Sequence, residues 1–272
     1  MSVPKLTLAD KHVIPQIGLG LWQVKDQNEF DGAFNAAIKA GYRHFDSAQE
    51  YHNEQMLGKS WRASGKKRDE LFITTKISIR NFRPKKVHAS FEESLTKLQT
   101  DYVDLLLLHF PVTVLRKKAW KALEEIHAAG GARSIGVSNY TIRHLEELST
   151  YAKIMPVINQ VELHVFLQQP ELVKYCQDRN IIIEAYSPLA HARAMDNQVI
   201  NDIAKKHGKT YAQVMLRWLI QQRFVILPKS VTPSRIQQNI EIFDFTLDKE
   251  DLDKLAKQDK DLRTAWSPVH VP

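Results

Sequence analysis

His44-Phe45-Asp46-Ser47-Ala48-Gln49-Glu50-Tyr51-His52-Asn53-Glu54 carries a short apolar run into a helix. The run GYRHFD, residues 41–46, reads as a brief buried strand that stops at Asp46. Residues 53–65 then show helical spacing, with Met56, Leu57 and Trp61 on one side and Gly65 as a stop signal. Asp46 and Tyr51 therefore fall on a strand-to-helix loop, where barrel enzymes hold their chemistry.

The same rhythm extends in both directions. KLTL and HVI around Ala9-Asp10-Lys11 predict a small hairpin, and PQIGLGLWQ a first core strand with its loop. Helical patterns over 28–40, 53–64, 84–98, 119–129, 141–149, 170–179, 198–207 and 212–221 alternate with the runs HFD, LFITTK, VDLLLLH, SIGVSN, VINQVE, IIIEAYS and FVILPKS. Strands that alternate with helices predict a parallel sheet, and runs such as LLLL and IIIEAY, taken as apolar on both faces, predict burial on both sides. Eight such runs fit an α/β (β/α)8 TIM barrel, with an open doubly wound sheet as the alternative. No Pro/Gly/Ser-rich linker divides the chain, so residues 1–272 are expected to form a single domain. Gly18-Leu19-Gly20 begins like a dinucleotide fingerprint, but Gln23 stands where the third glycine belongs.

Composition narrows the function. The net charge is +7, from 38 Lys and Arg against 31 Asp and Glu, but the basic residues are interspersed with acids. The short clusters 66–68 and 116–118 read as solvated helix faces, so no nucleic-acid partner is expected. A basic balance also suits a phosphorylated small ligand. The one cysteine, Cys176, precludes an intrachain disulfide. With no apolar signal core and no bilayer-length run, the expectation is a cytoplasmic protein with no membrane association.

If the barrel is right, the last residues of each run share one mouth: Asp46, Lys76, His109, Ser138 and Asn139, Gln160, Tyr186 and Ser187, then Lys229 and Ser230. A tyrosine is a poor acid at neutral pH. A lysine beside it would favour the phenolate and lower its pKa, and a carboxylate would hold that lysine charged. Tyr51, Lys76 and Asp46 supply those parts, and His109 can donate to a carbonyl oxygen. None of these groups is a credible attacking nucleophile, which points to a hydride from a cofactor. No HxH, HExxH or Cys/His pair marks a metal site, and no GxSxG marks a serine hydrolase. Residues 227–239, LPKSVTPSRIQQN, offer Lys229, Ser230 and Arg235 around a helix start suited to an anion. Tyr186 is placed to stack a nicotinamide, with Asn139 and Gln160 as amide partners.

Taken in order, GYRHFDSAQEYHNE, LFITTK, VDLLLLHFP, SIGVSNY, INQVELH, YSPLA and LPKSVTPSRIQQN make the chain resemble the aldo-keto reductases over nearly all its length. The resemblance implies a (β/α)8 barrel and NADPH-dependent reduction of aldehydes or ketones. Its catalytic tetrad falls on Asp46, Tyr51, Lys76 and His109, with Tyr51 as proton donor. It implies that Ser138, Asn139, Gln160 and Tyr186 bind the nicotinamide, with Gly20, Leu21 and Asp46 among the cofactor contacts. Ser187 and Leu189 would border the pyrophosphate, Lys229, Ser230 and Arg235 the 2′-phosphate of NADPH/NADP+, and Gln238 and Asn239 the adenine. Trp22, Tyr51, His109 and Phe110 would line the substrate pocket.

The short loop after His109 and the compact tail are most similar to the prokaryotic branch of 2,5-diketo-D-gluconate and methylglyoxal reductases, which implies small carbonyl substrates and a monomer. Two departures stand out. Phe110 replaces the tryptophan of many members, and Glu50, before Tyr51, is a carboxylate where relatives carry an uncharged residue; a solvent-facing position is expected for it. The tail TAWSPVHVP, residues 264–272, is placed near the mouth, where Trp266 or His270 would reach substrate, or else on the barrel wall. The competing function is a catalytically silent NADPH-binding regulatory or structural protein on the same fold.

Overall fold

A computed structural model describes residues 3–192 and 196–272. The chain opens with an antiparallel hairpin, β1 (Lys5–Thr7) and β2 (Val13–Pro15). Eight parallel strands follow, each hydrogen-bonded to the next in chain order: β3 (Leu19–Gly20), β4 (His44–Asp46), β5 (Phe72–Ile77), β6 (Val103–Leu108), β7 (Ala132–Ser138), β8 (Ile158–Glu162), β9 (Ile182–Tyr186) and β10 (Val225–Leu227). The ring closes where Ile226 N donates to Gln16 O at 3.0 Å and Gly18 N donates to Ile226 O at 2.9 Å. The architecture is the expected (β/α)8 barrel.

Closure explains the Gly18-Leu19-Gly20 sequence. A Cβ at Gly18 would stand 2.7 Å from the His44 ring and 2.8 Å from Leu227, and one at Gly20 would stand 3.1 Å from Leu227 O. These glycines let the first and last strands meet, which is a packing role and not a phosphate loop.

The outer helices are α1 (Gln27–Ala40), α2 (Glu54–Ala63), α3 (Pro84–Leu98), α4 (Arg116–Ala128), α5 (Ile142–Ser149), α6 (Pro170–Gln177), α7 (Gln198–His207), α8 (Tyr211–Gln221), α9 (Pro233–Ile240) and α10 (Lys249–Ala256). Their ends follow local chemistry: Asp26 accepts from Glu29 N to start α1, Gly41 at φ 107° ends it, and Thr210 with Gln213 boxes the start of α8. α4 begins three residues before the sequence suggests. The cations at its start are not simply solvated: Arg116 is buried, donating to Pro111 O, Pro272 O and Glu147. Arg68 in the other basic cluster is likewise tied to Asp104 at 2.7 Å and to Thr100 and Leu71 O.

Side chains alternate across each strand, so every barrel strand serves two cores. In β6, Leu106 and Leu108 face the helices, packing in one cluster with Phe34, Phe45 and Trp120, while Leu105 and Leu107 join an inner cluster. Burial of each leucine is worth about 1.5–3 kcal/mol. The inner cluster also holds Leu8 and Ile14 of the hairpin segment with Phe72, Val157 and Val225 from the starts of their strands, so the hairpin seals the N-terminal end of the barrel. Chemistry is left to the other end. Among the described residues no helix is long and apolar enough to cross a membrane.

Candidate active site

The alternation that buries Phe45, Ile73 and Ile77 against the helices turns Asp46 and Lys76 into the barrel mouth. Lys76 Nζ lies 2.6 Å and 2.8 Å from the two Asp46 carboxylate oxygens, 2.9 Å from Ser47 O and 3.2 Å from Tyr51 OH. Tyr51 sits on a 3-10 turn, residues 49–51, between β4 and α2. That turn is tied down locally: Ser47 Oγ donates to Asn53 Oδ1 at 2.8 Å, Asn53 Nδ2 donates to Leu21 O, and Gln49 bridges to Ser78 N and Ser94. His109, the first residue after β6, meets the Tyr51 ring edge-on with centroids 5.7 Å apart. The four side chains singled out from the sequence stand together.

Burial works against the Lys76 charge, but Asp46 and Tyr51 outweigh it and hold the ammonium above its ordinary pKa. Burial lifts the Asp46 carboxyl, with Lys76 and Gln160 pulling it back. For Tyr51 the sequence suggested a lowered pKa. Lys76 does pull it down, but burial is the larger effect and the hydroxyl ends above its ordinary value. The phenol thus stays protonated at neutral pH, with the ammonium in place to receive negative charge. Burial and the nearby Lys76 push His109 down to about 3, so its imidazole is neutral, and its Nδ1 is buried without a partner. Glu50 is half-buried and accepts from Ser78 Oγ, away from the tetrad contacts.

Behind Asp46 the interior is polar. Gln160 Nε2 donates to Asp46 Oδ1 at 2.9 Å and to Glu184 Oε2 at 2.7 Å, and all three groups are buried. Ile183 and Ala185 face the helices, which by alternation turns Glu184 inward, so β9 is not the doubly apolar strand read from IIIEAY. An acid set in an otherwise apolar strand was the available signal.

The other strand ends converge on the same mouth. Asn139, at φ 63°, donates through Nδ2 to His109 O at 3.2 Å and to Ser138 Oγ at 3.0 Å, while Tyr186 OH donates to Asn139 Oδ1 at 2.8 Å. Ser187 and Leu189 are half-buried beyond it. Gly20 pairs with Asp46, and Leu21 N donates to Asp46 O, but the Leu21 side chain is core and leaves only backbone for a ligand. At the last strand end, Lys229 and Arg235 are exposed and form no ion pair among the described residues, Ser230 accepts from Thr232 N, and Thr232 makes no side-chain cap on α9. Uncapped N–H groups beside these two cations suit a phosphate. Gln238 is half-buried and Asn239 buried on the same helix.

The rim is aromatic. Trp22, 45% exposed, meets His191 edge-on, and Phe110 meets Trp266 of the tail at 6.3 Å. Glu162, another residue that the sequence did not mark, fixes that tail. It accepts from Thr264 N at 2.7 Å, from Thr264 Oγ1 and from Ala265 N at 3.1 Å. Burial alone would raise its carboxyl, but His164, Thr264 and Ala265 outweigh it and hold the group down to about 2. The tail thus lies at the mouth; His270 is exposed. A separate cleft of about 610 Å³ between α3 and α4, lined by His88, Phe91, Glu125 and Ile126, shares no residue with this site.

The arrangement can donate a proton to a carbonyl oxygen from a tyrosine backed by a lysine and a carboxylate, with a neutral histidine alongside. A model of the aldo/keto reductase family matches residues 16–260. The chain is 45% identical over 255 residues to the glyoxal reductase of Bacillus subtilis (strain 168), covering 94% of this chain and 92% of that protein. It is 42% identical over 267 residues to the methylglyoxal reductase DkgA of Escherichia coli (strain K12), covering 97% and 96% respectively. The crystal structure of a Bombyx mori aldo-keto reductase in complex with NADP matches with a TM-score of 0.91 at 33% identity, over 97% of this chain and 95% of that one. With the tetrad side chains in mutual contact and this likeness running almost end to end, the chain belongs to the aldo/keto reductase family.

Proposed function

We propose that this protein reduces small aldehydes and ketones to alcohols with NADPH, Tyr51 acting as the general acid. The observation that carries it is the 3.2 Å contact from Tyr51 OH to a Lys76 ammonium that is itself held on both oxygens of Asp46. The residues present suit the cofactor: Lys229 and Arg235 offer exposed positive charge beside the uncapped start of α9 for a 2′-phosphate, and Tyr186 offers a ring at the mouth. Ser138, Asn139 and Gln160 supply polar groups for the nicotinamide end, Gly20, Leu21, Ser187 and Leu189 border the path between, and Gln238 and Asn239 stand by the adenine. The cofactor, when bound, supplies a hydride to the carbonyl carbon.

The chain's own part is to hold and move a proton. The substrate oxygen takes a hydrogen bond from Tyr51 OH and one from neutral His109. As negative charge grows on that oxygen, the Tyr51 O–H bond breaks and the alcohol O–H forms. The phenolate left behind faces Lys76, whose charge Asp46 maintains, and solvent then returns the proton. Trp22, Phe110 and Trp266 form the walls that a small carbonyl meets. The relatives named for glyoxal and methylglyoxal reduction support methylglyoxal as first substrate, and the sequence resemblance adds keto-sugar acids as the next to try. Residues 1–272 act as one barrel unit, a reading supported by the joining of the first and last strands.

The test is NADPH consumption with methylglyoxal by the protein and by Tyr51→Phe. The variant should lose about 10²–10⁴-fold in rate and still bind NADPH. Undiminished turnover in Tyr51→Phe would remove the general-acid assignment.

A further inference from the structure

We propose that Glu184 is a positioning residue for this chemistry: bridged to Asp46 by the Gln160 amide, it holds a proton inside the barrel, and losing that proton makes Tyr51 a weaker acid. The inference rests on Tyr51 being the general acid.

The geometry leaves Glu184 without a cation. Lys76 spends its ammonium on both oxygens of Asp46, on Ser47 O and on Tyr51 OH. Gln160 Nε2 has two hydrogens and gives one to Asp46 Oδ1 and the other to Glu184 Oε2. One amide group therefore separates two buried carboxyls. Glu184 Oε1 has no hydrogen-bond partner and lies 3.7 Å from His44 Nε2. Were Glu184 ionised, that unpartnered oxygen would be buried charge, whereas a protonated carboxyl needs no counter-ion.

The surroundings from each packed element agree. β4 presents His44 and Asp46, β5 presents Thr74 and Lys76, and β8 presents Gln160. β10 places apolar Val225 in register with Glu184. His44 is no cation here, since burial and the nearby Lys76 hold it down to about 3, and its Nε2 engages Thr74 Oγ1 at 3.0 Å. Burial, then the Asp46 charge, push Glu184 up to about 8. On ionisation its proton leaves to water and a second negative charge remains behind Asp46. That charge opposes formation of the phenolate on Tyr51, an influence in the same direction as that of Asp46.

The experiment combines infrared difference spectroscopy with a pH profile. Wild-type protein should show a protonated-carboxyl C=O stretch at neutral pH that vanishes as pH rises through about 8 and is missing in Glu184→Gln. In alcohol oxidation, where Tyr51 acts as the base, the acid limb should move to lower pH by about one pH unit in Glu184→Gln, because a negative charge has gone. Absence of the band in wild type, or an acid limb unmoved in the variant, would overturn the proposal. Labelling glutamate with carbon-13 separates the band from the Asp46 carboxyl, Glu54→Gln removes the other buried glutamate with a raised carboxyl, and Glu184→Asp serves as the second variant if Glu184→Gln folds poorly. The infrared result does not depend on turnover: active Tyr51→Phe with an intact titrating band would defeat the general-acid reading alone, and inactive Tyr51→Phe without the band would defeat the Glu184 proposal alone.

Discussion

Asp46 Oδ2 lies 2.6 Å from Lys76 Nζ, and both side chains are buried, so neither charge has water to fall back on. Replacing one partner strands the other. Asp46→Asn should therefore cost about 3–5 kcal/mol of stability, measured by urea unfolding, as well as most of the reductase rate. A fully stable variant would mean that Lys76 loses its proton at little cost and that the ion pair matters less than its geometry suggests.

Two histidines of the barrel mouth and interior, held neutral, set a pH response. His109 and His44 are each held down to about 3, against an ordinary value of 6.5. The unfolded chain binds protons at these positions first, so thermal stability should fall as pH drops from 6.5 toward 3. The rate of carbonyl reduction should show no ionisation near 6.5 attributable to His109. An acid limb at that pH which disappears in His109→Gln would show an imidazolium in the working enzyme.

Lys229→Ala and Arg235→Ala should weaken NADPH by about 10–100-fold each while changing NADH little, because a charged hydrogen bond is worth about 1.5–3 kcal/mol and NADH lacks the 2′-phosphate. Titration of both cofactors by protein fluorescence quenching measures this directly. Equal losses for the two would move these cations away from the 2′-phosphate.

Two glycines should respond with opposite sign. A Cβ on Gly58 in α2 would stand 2.2 Å from Lys97 O at the end of α3, whereas one on Gly32 in α1 meets nothing within 4 Å. Gly58→Ala is expected to destabilise by about 1–3 kcal/mol or more, and Gly32→Ala to stabilise by about 0.4–1 kcal/mol. Melting temperatures that move together would contradict this packing of α2 against α3.

Glu162→Gln should loosen the tail. The variant can no longer accept three donors as a carboxylate, so about 1–3 kcal/mol of anchoring goes, and with it the placement of Trp266 beside Phe110. The expected signature is a raised KM for the carbonyl at unchanged NADPH affinity. A raised NADPH dissociation constant would instead tie the tail to the cofactor.

The barrel and the convergence of Asp46, Lys76 and His109 on one mouth were legible because both are encoded locally. Strand-helix alternation is a matter of period, and Asp46, Lys76 and His109 stand out as polar residues closing apolar runs. What stayed hidden depends on contacts far apart in sequence. Arg116 read as one of three solvated cations, yet it reaches Pro272, 156 residues away. Glu184 was absorbed into an apolar strand because its partner Gln160 lies on a different strand, and Glu162 carries no local mark of a segment that returns more than a hundred residues later. The direction of the Tyr51 shift was missed for a related reason: the neighbouring lysine can be read from order along the chain, whereas the depth of burial cannot.

The hairpin that packs Leu8 and Ile14 against the starts of the strands makes the barrel a vessel with one neck. Glu184 and His44 lie inside it, fully enclosed. Any proton that reaches or leaves them must pass the neck, where Tyr51 and Lys76 stand. His44, held down to about 3, stays neutral there, so Glu184 is the enclosed group whose proton exchange with solvent a ligand seated in the mouth should slow.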